Sequence, residues 1–311
     1  MRSRGLHHIT TVIREARRGR HFYANVLGLK IVKKTVCYDD PGSYHLYYGD
    51  DIGAPGTVIS TLAWRCVPPG MAGVGEVVQT SFRIAAGAVD WWSERLTAAA
   101  VSCRLDHSPF GEKVLRFADP DGTALALVCA EQNDRDKAWH PVGVEEEHAI
   151  CGLHGVTLSV READSTIKIL QDVLDFRCVA ELGSWMRFVA HDGPGGTLDL
   201  QVVGPSSRGH LGGGTIRHVA FRAANADDQA AMVEKLRADH GIAVSEPVAR
   251  TYLTAVGFRA PCGVLFEIAT DCPGFAVDEP LDRLGKELKF PSFLDARRLE
   301  LQSILPPLDS D

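Results

Sequence analysis

The chain has 311 residues, of which 45% are hydrophobic and 23% are charged, with a formal net charge of −7. This length predicts about two domains, and the acidic balance argues against nucleic acid as the main partner, because phosphate binding needs a basic surface. No run approaches 18 apolar residues, so we expect no membrane span, and no secretory signal precedes the first predicted strand, so we expect a cytoplasmic protein.

The first predicted module consists of a strand, a helix and three further strands. The helix spans 17–27 and ends at Gly28, a residue type typical of helix C-termini. Alternating apolar residues predict the strands on either side of it, which span 8–13, 29–36, 43–48 and 57–64.

The second module repeats this pattern with a strand over 77–84, a helix over 89–99 and strands over 114–117 and 124–128. Polar and acidic residues then predict a linker. The third module spans 152–203, and the fourth begins near 214, with a helix over 227–239 and strands over 252–258 and 264–269. A charged tail with several prolines follows from residue 278.

The modules are related in sequence. The segment that starts Gly5-Leu6-His7-His8-Ile9-Thr10 recurs as Gly152-Leu153-His154-Gly155-Val156-Thr157, and weaker copies begin at Val77 and Ile216. A βαβββ unit cannot bury its sheet alone, so the units should combine in pairs. We therefore predict an α+β fold of four βαβββ modules that form two open mixed-sheet barrels. The predicted divisions are modules one and two at 1–130, a linker at 131–150, modules three and four at 151–275, and a C-terminal tail at 276–311.

Alignment of the four modules identifies candidate metal ligands. One column contains His8, Gln79, Gly155 and His218, so only modules one and four carry a possible ligand there. Glu267 lies within an apolar strand, where a carboxylate is rare unless it is paired or binds a metal. Two imidazoles and one carboxylate form the facial triad typical of non-haem Fe(II), although the ligand types also suit Mn, Co or Zn. A core histidine and an ion-paired glutamate are the alternatives.

The other histidines have simpler interpretations. His154 aligns with His7 rather than with His8, so we expect it to face the opposite side of its strand and to be structural. His45 lies in an aromatic-rich strand and is either a core residue or a pocket wall. His140 and His148 lie in or beside the linker and are expected to be solvated.

These residues resemble the vicinal oxygen chelate superfamily, which is built from βαβββ modules around a divalent metal. Within it, the chain is similar to the ring-cleaving extradiol dioxygenases that act on hydroquinones, and the likeness covers nearly the whole chain. The most specific matching blocks span 39–50 and 263–271, with further matches at 6–10, 22–29, 32–36 and 278–281.

The resemblance implies Fe(II), or Mn(II) or another divalent metal, held by His8, His218 and Glu267. It implies catalytic roles near the metal for three further residues, namely His7, Thr10 and Arg250. The implied partners are a small aromatic diol and O₂, and a homo-oligomer is compatible with the family. Two positions depart from the family pattern: Arg217 stands where a His is common, and Gly257 stands where a Tyr is common. We expect both to shift the choice of substrate.

Two other functions are compatible with the same module. A glyoxalase-like isomerase or lyase would use the metal to polarise an enediolate, but such sites usually have four protein ligands. A small-molecule-binding protein without catalysis, of the drug-sequestering type, would tend to lack the ligand triad. The three candidate ligands favour the dioxygenase over both.

Overall fold

The computed structural model describes residues 5–130, 141 and 143–308. Most of the predicted linker, including His140, lies outside the described residues. Module one contributes β1 (Leu6–Ile13), β2 (Lys30–Val36), β3 (Tyr44–Gly49) and β4 (Val58–Ala63). Module two contributes β5 (Glu76–Ala85), β6 (Cys103–His107), β7 (Lys113–Ala118) and β8 (Ala124–Ala130).

The second half of the chain repeats this series. Module three contributes β9 (Leu153–Val160), β10 (Arg177–Leu182), β11 (Trp185–Val189) and β12 (Thr197–Val202). Module four contributes β13 (Thr215–Ala223), β14 (Val248–Ala249), β15 (Leu253–Arg259) and β16 (Leu265–Pro273). The α-helices are α1 (Ala16–Arg20), α2 (Val89–Ala98), α3 (Asp164–Asp172), α4 (Ala226–Ala238) and α5 (Arg298–Ile304).

The strands form two eight-stranded mixed sheets, which confirms the predicted α+β fold class. The outer modules build one sheet in the order β14-β15-β16-β13-β1-β4-β3-β2, and the inner modules build the other in the order β10-β11-β12-β9-β5-β8-β7-β6. Antiparallel pairs β1–β13 and β5–β9 join the modules at the middle of each sheet. Each predicted sequence half, 1–130 and 151–275, therefore contributes one module to each sheet.

Reciprocal backbone contacts connect the two sheets. The Leu6 N–H donates to the Gly195 carbonyl at 2.8 Å, and the Leu153 N–H donates to the Gly56 carbonyl at 2.9 Å. Gly195 has φ +76°, and a Cβ there would lie 2.9 Å from Gly56 Cα, so this crossing needs glycine. The helices pack apolar faces on the sheets, for example through Trp92 and Leu96 of α2.

The C-terminal tail covers the edge strand β2. The backbone N–H of Lys289 donates to the Lys34 carbonyl at 2.9 Å. Lys33 is fully buried, and its Nζ lies 2.5 Å from carboxylate oxygens of both Asp278 and Glu279. The tail therefore protects an edge that would otherwise offer unpaired backbone groups.

Several elements differ from the sequence prediction. The first helix begins as α1 but continues as a π-helix over His21–Val26. Strand β6 was not predicted, because it is a five-residue edge strand whose side chains are mostly exposed and whose apolar residues are only Cys103 and Leu105. Among the described residues, no helix is long and apolar enough to span a membrane.

Candidate metal centre

Three adjacent strands bring His8, His218 and Glu267 together. In the sheet of modules one and four, β13 lies between β1 and β16. The register aligns His8 with Ala220 and Ala220 with Glu267, whereas His218 lies two residues earlier on the central strand. Side chains two residues apart share a strand face, so all three project on the same side of the sheet.

The donor atoms of these residues, which we call the His–His–Glu cluster, converge. Nε2 of His8 lies 3.1 Å from Nε2 of His218, and Nε2 of His218 lies 3.5 Å from Oε2 of Glu267. The three donor atoms all lie within 4.8 Å of one another. Atoms about 2.1 Å from one ion and at right angles would lie roughly 3 Å apart, so the spacing fits a divalent cation.

Burial keeps the imidazoles neutral, as metal binding requires. Desolvation lowers the pKa of His8 well below its usual value, and the neighbouring His7 and His218 lower it further. Desolvation also lowers the pKa of His218, although the nearby Glu267 carboxylate opposes this shift. Two facing ring nitrogens without protons would repel each other, so a cation between them would relieve that contact. The donor set therefore fits the metal that the resemblance implies.

His7 lies behind the cluster, whereas Thr10 lies beside one of its donor atoms. Nδ1 of His7 is 3.0 Å from Nδ1 of His8, on the side of the ring away from His218. Burial lowers the pKa of His7 to about 4. The His7 contact restricts the orientation of His8, which is how outer partners tune metal sites. Thr10 Oγ1 lies 2.8 Å from Nε2 of His218, the nitrogen that would face a metal, so a bound metal would replace this contact.

A chain of polar side chains extends from Thr10 to the wall of the site. Thr10 Oγ1 lies 2.8 Å from Ser60 Oγ, which lies 3.0 Å from Nε2 of His45. Nδ1 of His45 lies 3.1 Å from the Tyr47 hydroxyl. Both His45 and Tyr47 line the cavity beside the cluster, so His45 is a pocket wall, one of the two alternatives left open by the sequence.

The cavity beside the His–His–Glu cluster, which we call the central cavity, has a volume of about 50 Å³. Arg250 and Arg217 both line it. Arg250 lies over the Tyr38 ring at 5.3 Å, and Arg217 lies over the Trp64 ring at 5.7 Å. Among the described residues, no carboxylate forms an ion pair with Arg217. Asp39 and Glu267 also line the cavity, so the two guanidinium groups share it with two carboxylates. Each guanidinium can still bind an anionic oxygen directly.

The sheet of modules two and three has no equivalent cluster in the described residues. Gln79 occupies the ligand column there, and it contacts Arg116 instead of a second ligand. We predicted that the His154 side chain points away from the face that carries Gln79, and this prediction is wrong. Both residues line one cavity of this sheet, where Nε2 of His154 lies 3.3 Å from Glu112, because the β5–β9 pairing shifts register between Ser81 and Phe82. His154 is not part of the His–His–Glu cluster.

Comparison with known proteins identifies the family. The profile of the Glyoxalase/Bleomycin resistance protein/Dioxygenase superfamily matches residues 5–127 and 152–268. The chain belongs to this superfamily. A Bacillus subtilis protein named "Putative ring-cleaving dioxygenase MhqE" is 37% identical over 308 residues, covering 99% of this chain and all of that protein. The Chlorohydroquinone/hydroquinone 1,2-dioxygenase of Sphingobium indicum is 30% identical, covering 96% of this chain and 95% of that protein.

Solved structures agree with this assignment. The crystal structure of a "putative dioxygenase" from Bacillus subtilis is similar to this chain, with a TM-score of 0.93 and 36% sequence identity. The match covers 99% of this chain and 98% of that one. Glyoxalase I from Zea mays has a TM-score of 0.64 at 16% identity, covering 86% of this chain and 93% of that one. The second likeness supports the fold alone.

Proposed function

We propose that the protein is a ring-cleaving, extradiol-type dioxygenase that uses Fe(II) to insert O₂ into a hydroquinone- or catechol-like diol. The observation that carries this proposal is the convergence of His8, His218 and Glu267 beside a cavity that Arg217 and Arg250 line. The Sphingobium indicum relative, whose name describes such a reaction, supports it along nearly the full chain. Mn(II) or another divalent metal is compatible with the same ligand types.

The proposed reaction is balanced without an external reductant. Both atoms of O₂ enter the product, and the carbon–carbon bond next to a hydroxylated ring carbon breaks. When bound, the divalent metal would supply neighbouring positions for the diol oxygen and for O₂. The protein would hold the two reactants in one orientation, which lowers the entropic part of the barrier.

The residues of the central cavity would bind the diol and manage its charge and protons. Arg250 and Arg217 would stabilise the diol as a phenolate, because fixed positive charge favours the anionic form. Burial lowers the pKa of His45 well below the usual value, so the ring is neutral and keeps one nitrogen lone pair. His45 would accept a diol hydroxyl proton there in exchange for its hydrogen bond from Ser60 or Tyr47. Tyr47 and Ser60 hydrogen bond to the two ring nitrogens and would hold His45 in place.

His7 would act as a positioning residue in this mechanism. It contacts Nδ1 of His8, away from the candidate donor atom, and would hold His8 in the orientation that metal binding needs. Thr10 contacts Nε2 of His218, so a bound metal would replace this contact and the Thr10 hydroxyl would lie beside the metal site.

The test begins with protein stripped of metal and reloaded with Fe(II) under argon. We expect about one bound metal per chain, and after admission of O₂ we expect one O₂ consumed per hydroquinone or catechol converted. His8→Ala should abolish metal binding. The matched control His154→Ala should retain both metal and activity, because that residue lies in the other sheet.

Two results would contradict the proposal. Loss of metal from His154→Ala but not from His8→Ala would show that the ligands are wrong. A loaded protein that isomerises the methylglyoxal–thiol adduct and consumes no O₂ with any diol would favour the glyoxalase-like alternative.

A further inference from the structure

A second cavity adjoins the central cavity. It has a volume of about 480 Å³, and we call it the side pocket. Arg250 and Glu267 line both cavities, so the two meet at these side chains. The remaining lining of the side pocket is mostly apolar or small: Ala243, Val244, Ser245, Val248, Ala255, Gly257, Phe258, Arg259 and Leu265.

The strand register places the side pocket on the same sheet face as the candidate ligand. In the β15–β16 pair, Gly257 lies directly opposite Glu267, and Ala255 and Arg259 flank it on the same face. On β16, Leu265 shares the face of Glu267. The pocket is thus a continuation of the surface that carries the His–His–Glu cluster, with small side chains next to the carboxylate.

Gly257 creates much of this room. Its φ is not in the left-handed region that favours glycine. A Cβ built there would meet its nearest atoms at 3.9 and 4.0 Å, which is ordinary contact, so the backbone does not exclude a side chain. Glycine weakens a strand interior, and where the backbone does not need it, it often marks a place where a ligand approaches closely.

The chemistry of the walls defines what would bind. Val244 and Leu265 supply aliphatic surface on either side of Gly257, and Val248 is 40% exposed at the rim. Apart from Arg250, Arg259 and Glu267, the walls offer a charged or strongly hydrated group few partners to replace the water that it would lose. An apolar group would gain by leaving water, at about 0.8 kcal/mol for each buried CH₂.

We propose that the side pocket binds a bulky apolar ring substituent, an alkyl chain or a second aryl ring, on a diol whose hydroxyl groups enter the central cavity, and that Gly257 sets this specificity. This inference rests on the proposed function for the seating of the diol. It deepens that function by naming the substrate class as hydroquinones or catechols with a large apolar substituent.

The test compares phenylhydroquinone with unsubstituted hydroquinone. Calorimetric titration of the metal-loaded protein under argon measures binding without turnover, and an oxygen electrode then measures kcat/KM. We expect the wild type to favour phenylhydroquinone at least about tenfold in both measurements. Gly257→Leu should fill the pocket and remove this preference, and Gly257→Ala should reduce it partly.

Two further variants keep the test decisive. Gly87→Leu is the matched control, because Gly87 is exposed, lies in the other half of the molecule and has no atom near its missing Cβ. It should leave the tenfold preference intact. Val244→Phe fills the pocket from a neighbouring segment of its wall and should mimic Gly257→Leu if that variant does not fold.

The outcomes separate the two proposals. A wild type that binds both diols equally, or pocket-filling variants that keep the preference, would overturn the side-pocket assignment. Preferential binding of phenylhydroquinone under argon without any O₂ consumption would support the pocket and overturn the dioxygenase proposal.

Discussion

His45 lines the central cavity and has hydrogen-bond partners on both ring nitrogens that are not candidate metal ligands. Its Nε2 contacts Ser60 and its Nδ1 contacts Tyr47, so the ring is held in one orientation. Ser60 and Thr10 lie between His45 and His218 along this chain of hydrogen bonds. A substitution at His45 therefore removes no candidate metal ligand.

We expect His45→Ala to lower kcat about 10² -fold while leaving the bound metal unchanged, because a positioned acid or base typically contributes at least that much. The measurement is metal content by elemental analysis beside steady-state O₂ uptake. Tyr47→Phe, which removes one contact of His45 and keeps the ring, is the matched control and should have a smaller effect. An unchanged kcat in His45→Ala would exclude the proton role.

The sequence identified some of the site residues and not others for a physical reason. His8 and His218 occupy equivalent positions in related modules, and Glu267 is unusual in an apolar strand, so each had a signal in the sequence. His45 has no counterpart in a repeat column that marks it. Its contact with Ser60 depends on the register in which β3 pairs with β4, and the residue pattern does not predict that register.

At the scale of elements, the tail from 276 to 308 covers the edge strand β2, and the buried Lys33 ammonium of that strand binds the tail. Lys33 points from β2 into the tail, where Asp278 and Glu279 accept from it, and its Nζ lies 4.9 Å from the centre of the Tyr252 ring. Tyr252 also donates a hydrogen bond to Asp278 at 3.0 Å. The Lys33 side chain therefore links module one, module four and the tail.

Removal of one member of a buried ion pair leaves an uncompensated charge. We expect Lys33→Met to lower the free energy of unfolding by about 3–5 kcal/mol. Lys30→Met on the same strand removes a partly exposed pair with Asp51 at 3.5 Å, and it should cost no more than about 1 kcal/mol. Urea unfolding of the two variants measures the difference. Equal losses would mean that the tail is not held by this charge.

The strands and helices were predictable to different degrees. Helix α4 was expected over 227–239 and spans Ala226–Ala238, because its Asn225 cap and its acidic first turn are local signals. The tail gave no such signal. Its contacts depend on Lys33, more than 200 residues earlier, and a lysine in an alternating strand normally indicates a solvent-facing position.

At the scale of the whole molecule, the order of modules along the chain decides which sheet each module joins. Modules two and three, in the middle of the chain, build one sheet, and modules one and four build the other. The repeat predicted that modules would pair, and the ligand column indicated that modules one and four share a site. Gly257 predicted a roomier and less polar pocket, but the volume of the side pocket could not be predicted, because it depends on how the segment around Val244 packs beside β15.

A fragment that ends at Glu145 should bind no stoichiometric metal. It keeps His8 but lacks His218 and Glu267, and it leaves β1 without its neighbour β13. Titration with Fe(II) under argon measures this. Co-expression with a fragment of residues 146–311 should restore binding, and full affinity in the first fragment alone would refute a site shared between the ends of the chain.

The strand order of the two sheets also determines when each sheet can form during translation. His218 follows His8 by 210 residues, which takes a ribosome on the order of tens of seconds at about 5–20 residues per second. The inner sheet is contiguous in the chain and can be completed first, while the first four strands wait for partners that have not been made. Under the proposed function, an interrupted translation product could not capture iron, and the cell would have to supply the metal to chains that are almost finished.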